Sequence, residues 1–82
     1  MRTALVVIRS GQALRDAIRT ASVTQRSVAR AAGITEQRLS SLIAEREPRI
    51  RAEAAALIED TVHADRGKLF GPLPGADLYR ES

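Results

Sequence analysis

The chain contains no cysteine and no tryptophan, a single histidine and only two aromatic residues, Phe70 and Tyr79. Without cysteine there is neither a disulfide nor a thiolate metal cluster to staple a small fold, so stability has to come from packed apolar side chains. One histidine also leaves little for acid–base catalysis. No pair of acids converges at predicted positions, and no metal- or nucleotide-binding motif is present. The expectation is a protein that is not an enzyme, holds no cofactor or metal and takes no small-molecule substrate. His63 falls near the end of the last predicted helix, where a surface or helix-terminal role outweighs a ligand role. No run approaches the roughly 18 apolar residues of a membrane span. The apolar stretch at residues 4–8 is too short for a secretory leader and lacks a small-residue cleavage site. A cytoplasmic protein with no membrane partner is expected.

What is present is arginine, unevenly placed. Residues 1–51 carry ten Arg against four acids, a net +6, while residues 52–82 carry three bases against six acids, a net −3. One end is therefore suited to a polyanion. At 82 residues the chain is one small domain, burying roughly 60% of its unfolded surface. Its stability should be about 4 to 12 kcal/mol.

Residues 4–8 are apolar and rich in β-branched side chains, and end at Arg9-Ser10-Gly11, which favours a short strand. A lone strand must pair with the C-terminal tail or a second copy, or else extend the first helix. Ser10 is a good N-cap for a first helix over about 11–21, with Leu14, Ala17, Ile18 and Ala21 on one face and Arg15, Asp16 and Arg19 away from it. Thr24 caps a second helix to about residue 32, and Thr35 a third to about residue 44. Pro48 suits the first turn of a fourth helix, from 48 or 50 to 63. That helix would turn Ile50, Ala54, Leu57, Ile58 and Val62 inward and Glu53, Glu59 and Asp60 outward. Leu69 and Phe70 are expected to fold back as a short turn over the core, and residues 71–82 to form an irregular tail. The core of the domain then lies within residues 10–70.

The most informative stretch is 25–42, QRSVARAAGITEQRLSSL. Two short helices joined at a tight corner need a residue that takes positive φ, and Gly33 does so without the roughly 1 to 2 kcal/mol penalty of a Cβ. Ala29 is small where the helices cross, and Val28, Ala32, Ile34, Leu39 and Leu42 supply a shared apolar seam. The pattern is that of a helix-turn-helix. On its second helix the outward side is centred on Gln37, Ser41 and Ala44, flanked by Ser40 and Glu36. Short side chains there let the helix approach the floor of a major groove, where Gln37 can read adenine. Arg38, on the other flank, can reach a guanine edge or a phosphate. Glu36 suits the helix dipole and can also accept from cytosine N4. Arg26, Arg30, Arg46, Arg49 and Arg51 are placed to meet phosphates, and Gln25 can add a contact from the helix N-terminus.

The segment from about residue 10 to 70 resembles the phage repressor and Cro family of helix-turn-helix proteins. The resemblance rests on Gln25, Ala29, Gly33, Leu39, Leu42 and Leu69-Phe70. It implies an all-α fold, a compact bundle of four or five helices with a central helix-turn-helix, here with a short N-terminal strand as a departure. It also implies a homodimer that inserts the third helix into palindromic duplex DNA and regulates transcription, as in a phage lysis or lysogeny switch. Base reading would fall on Glu36, Gln37 and Ser41, with backbone contacts near Arg46 and Arg49. A second departure is the end of the third helix, Ile43-Ala44-Glu45, where the family commonly has an acidic residue and a glycine turn. The competing reading is a protein-interaction module on the same fold, an antitoxin or a phage protein that captures a host factor, working through Val6, Ile8, Phe70 and Tyr79.

Overall fold

The computed structural model describes residues 4–73. In chain order these form β1 (Leu5–Ile8), α1 (Gly11–Thr20), α2 (Gln25–Ala32), α3 (Glu36–Ile43), β2 (Arg49–Arg51), α4 (Ala52–Thr61) and β3 (Phe70–Pro72). The expected all-α bundle is therefore corrected to an α+β domain, four helices with a three-stranded antiparallel sheet in the order β2-β1-β3.

The correction follows from β1. A strand buried on one face must find acceptors and donors for its backbone, and β1 takes them from two segments read otherwise. Arg49-Ile50-Arg51, expected inside the fourth helix, alternates exposed, buried, exposed and pairs Val6 with Ile50. Phe70-Gly71-Pro72, expected as a turn and the start of a tail, pairs Ile8 with Phe70. Pro48 accordingly precedes a strand, and its carbonyl accepts from Ile8 N at 2.9 Å. Helix α4 starts only at Ala52, whose N–H donates to Ala4 O at 2.8 Å, so the sheet supplies the cap that Arg51 does not. Residues 74–82, including Tyr79, lie outside the described residues.

The first three helices lie where their caps and periodicity place them. Ser10, Thr24 and Thr35 each accept from the backbone N–H three residues on. Leu14, Val28, Leu39, Leu42 and Ile58 are fully buried and, with Ile8, Ile50, Leu69 and Phe70, make one core between helices and sheet. Burial of each large aliphatic there contributes about 1.5 to 3 kcal/mol.

All four helices end with the same pair of bonds, a Schellman arrangement: Ser22 N to Arg19 O with Val23 N to Ile18 O, and the equivalents at Gly33, Glu45 and His63. The left-handed residue is glycine only at Gly33; Ser22, Glu45 and His63 adopt φ of 60°, 64° and 61° with a side chain.

Helix α4 is rotated from its expected phase. Leu57 is 44% exposed and Glu59 only 3%. The Glu59 carboxylate accepts from Gly67 N at 3.1 Å and Leu69 N at 3.0 Å, so it organises the return into β3. Periodicity alone assigns a carboxylate to solvent and a leucine to the core. The need to satisfy two loop N–H groups reverses the assignment here.

Candidate nucleic-acid interface

The α2–α3 pair is built by local rules that can be followed residue by residue. Thr24 Oγ1 accepts from Ser27 N at 3.0 Å and Ser27 Oγ accepts from Thr24 N at 3.3 Å, a capping box closed by serine. Gly33, at φ 75° and ψ 28°, turns the chain, and Ile34 N donates back to Ala29 O at 2.9 Å. Thr35 Oγ1 then accepts from Arg38 N at 3.0 Å and starts α3. Val28, Ala29, Ala32, Leu39, Leu42 and Ile43 hold the two helices to the core.

That burial leaves Glu36, Gln37, Ser40 and Ala44 exposed on α3, with Ser41 partly buried beside them. Gln37, Ser41 and Arg46 share one open depression of about 430 Å³ with Thr35, Arg38 and Glu47. Arg26, Arg30 and Glu36 line a second on the α2 side. Arg49 and Arg51 are brought to neither: they project from β2, with Arg49 lining a shallow groove that shares Arg38 and Glu47 with the first depression. Gln25, partly buried, opens α2, where first-turn N–H groups have no intrahelical acceptor.

Arg38 has a role that its sequence position does not suggest. Its Nη1 donates to Glu47 O at 2.9 Å and its Nη2 to Arg49 O, and the guanidinium lies 3.5 Å from the Glu47 carboxylate. It braces the free edge of β2 against α3 and is committed to protein carbonyls. The brace fixes the register of Arg49 relative to Gln37 and Ser41.

The acids sort in the same way. Six arginines and three glutamates fall between residues 24 and 51. Glu36 pairs with Arg26 at 3.4 Å and Glu47 with Arg38. Glu45 accepts from Gly11 N at 2.8 Å, placing its charge at the start of α1, where the helix dipole favours it. All three carboxylates are thus engaged. Arg30, Arg46, Arg49 and Arg51 have no carboxylate within 4.0 Å among the described residues. The Arg26–Glu36 pair is highly exposed, 73% and 52% at the side chains, so solvent screening leaves it easily exchanged for another anion.

Sequence reasoning missed three participants. Glu45 was read only as a departure at the end of a helix, and Arg9 and Gly11 only as marking where the strand ends and the first helix begins. Arg9 had a legible signal: with Leu5 and Val7 it shares the alternate positions of one strand face. Of the apolar surface of the competing reading, Ile8 and Phe70 are 6% and 3% exposed and Val6 packs on the core, while Tyr79 lies outside the described residues. His63 is exposed just beyond α4. No group of three or more metal-ligating side chains occurs among the described residues, and no described helix is long and apolar enough to cross a membrane. No protein-family model, curated protein or solved structure matches the chain.

Proposed function

We propose that the protein is a sequence-specific double-stranded DNA-binding transcriptional regulator of the cytoplasm, acting as a homodimer with α3 in the major groove. One observation carries the reading. The outward face of a glycine-turned α3 is exposed, with the short Ser40, Ser41 and Ala44 around Gln37; Arg30 and Arg46 beside it have no carboxylate partner among the described residues, and each nearby acid is held in an ion pair or hydrogen bond within the protein. Gln37 and Ser41 are the base readers, with Ser40 and Glu36 at their flank. Arg30 and Arg46 contact phosphate beside the bases read by α3, Arg26 joins them when it leaves Glu36, and Arg49 and Arg51, which project from β2, contact phosphate beyond that stretch. Arg38 acts by holding β2 in place.

Selection from a randomised duplex library at about 0.15 M salt tests this, because non-specific phosphate binding is weakened there enough for base readout to show. Enrichment of a two-fold symmetric site, with half-sites about one helical turn apart, is the expected outcome. A folded protein that enriches nothing overturns the reading, and enrichment of an asymmetric site bound by one protein overturns the dimer.

A further inference from the structure

The sheet has an inner face, Val6, Ile8, Ile50 and Phe70, and an outer face, bearing Arg49 and Arg51, that stands apart from base readout by α3. Strand alternation and register place Leu5 opposite Arg51, and Val7 between Arg49 and Gly71, on that outer side. Arg9 continues the β1 side of it. Its Nε donates to Gly67 O at 2.9 Å, and its guanidinium lies flat over Gly71, within 3.0 Å of where a side chain there would begin. Gly71 is buried because Arg9 covers it. Any larger residue at 71 would displace the guanidinium.

The outer face therefore carries three arginines, Arg9, Arg49 and Arg51, around Leu5 and Val7. None of the three has a carboxylate within 4.0 Å among the described residues. Arg9 is held in place before any ligand arrives, so little side-chain freedom is lost when it binds an anion. The face is also continuous with the α3 surface, because Arg38 of α3 donates to the carbonyl of Arg49.

We infer that the outer face of the sheet is a second phosphate-binding surface, which clamps the sugar–phosphate backbone of the same duplex outside the stretch read by α3. The inference rests on the proposed function. A second copy of the chain is a poorer occupant, since two such faces would set like charges against each other in a desolvated contact.

The test uses the selected duplex at two lengths, one ending at the sequence read by α3 and one extended on both sides, with Kd measured across a salt series. The variants are Arg51→Gln, whose side chain makes no hydrogen bond among the described residues, and the double variant R9Q/R51Q. Because each dimer carries two copies of the face, the slope of log K against log salt on the extended duplex should fall by about two for the single and about four for the double variant. The base preference should stay as in the wild type. On the short duplex all three proteins should share one slope. An unchanged slope on the extended duplex, with the variants folded, overturns the second surface and leaves the α3 reading intact. Loss of dimerisation in sedimentation, with the slope unchanged, would assign the face to a second copy and overturn it too. Failure of the wild type to prefer any duplex overturns both.

Discussion

Replacing Gly11 by alanine should be among the most damaging single changes in this domain. A Cβ at residue 11 would stand 1.7 Å from the carbonyl oxygen of Ile43, where real contacts begin near 3.0 Å. The obstacle is backbone on both sides, the first turn of α1 against the last turn of α3, so no side-chain rotation relieves it. The helices would have to part, and overpacking of this kind costs about 1 to 3 kcal/mol. Parting them also stretches the bond from Gly11 N to the Glu45 carboxylate, 2.8 Å long. A hydrogen bond to a charged acceptor contributes about 1.5 to 3 kcal/mol. Together the loss should be about 3 to 5 kcal/mol, a large part of the about 4 to 12 kcal/mol available.

Equilibrium unfolding in urea, where a domain this small has a slope of about 1 kcal/mol/M, resolves such a loss easily. Two controls separate its parts. Glu45→Ala keeps the glycine and removes the acceptor, so it should cost about 1.5 to 2 kcal/mol. Gly33→Ala meets nothing within 4 Å and bears only its φ of 75°, which sets its cost near 1 kcal/mol. If Gly11→Ala proved no worse than Gly33→Ala, α1 and α3 would be separable without cost and the reasoning would be refuted.

Three further outcomes are expected. Glu59→Gln replaces a buried carboxylate whose Oε2 serves Gly67 N and Leu69 N and whose Oε1 lies 3.2 Å from Gly67 N by a neutral amide, which loses the charge assistance and sets its NH2 donor against the Gly67 N–H. It should lower stability by about 1 to 3 kcal/mol, read as a drop in Tm, and an unaltered Tm would show that the loop finds other acceptors. His63→Gly relieves a side chain at φ 61° at the expense of a more flexible unfolded chain, for a net gain of about 0.5 kcal/mol; a lower Tm would contradict this. Gln37→Ala should leave Tm unchanged while costing about 1 to 3 kcal/mol on the preferred site and relaxing the choice at one base position. A preserved preference profile would remove Gln37 from the readout.

The parts of this fold that were legible from sequence are those that local chemistry decides. Ser10, Thr24 and Thr35 announce their helices because a side-chain oxygen just before a helical period has one strong use. Gly33 announces the corner because α2 and α3 need a left-handed residue there. The sheet was hidden because β2 and β3 are three residues each, too short to establish a period of two against the proline and helix signals around them. Glu45 and His63 hid the left-handed closure of two helices, though not its approximate place, since they occupy with a side chain the conformation that glycine advertises. Gly11 carried no mark, because its reason for being glycine lies more than thirty residues away at Ile43.

The same distinction separates counting charges from placing them. Read as a list, residues 26 to 51 offer six arginines to a polyanion, with Arg38 the most attractive because it sits on α3. Folded, Arg38 is the one among them bound to two backbone carbonyls, Glu47 O and Arg49 O, and its side chain is only 30% exposed. Three glutamates in the same stretch would halve the net charge if they faced the ligand. Instead one is turned to the start of α1 and the others are matched to Arg26 and Arg38, which leaves Arg30, Arg46, Arg49 and Arg51 as the field a phosphate would meet. An interface that neutralises its own acids in this way keeps its positive potential without raising the net charge of the protein. Affinity for a duplex should therefore follow which arginine is removed and not how many remain. Arg38→Gln would act by loosening β2 from α3, and Arg49→Gln by giving up a phosphate.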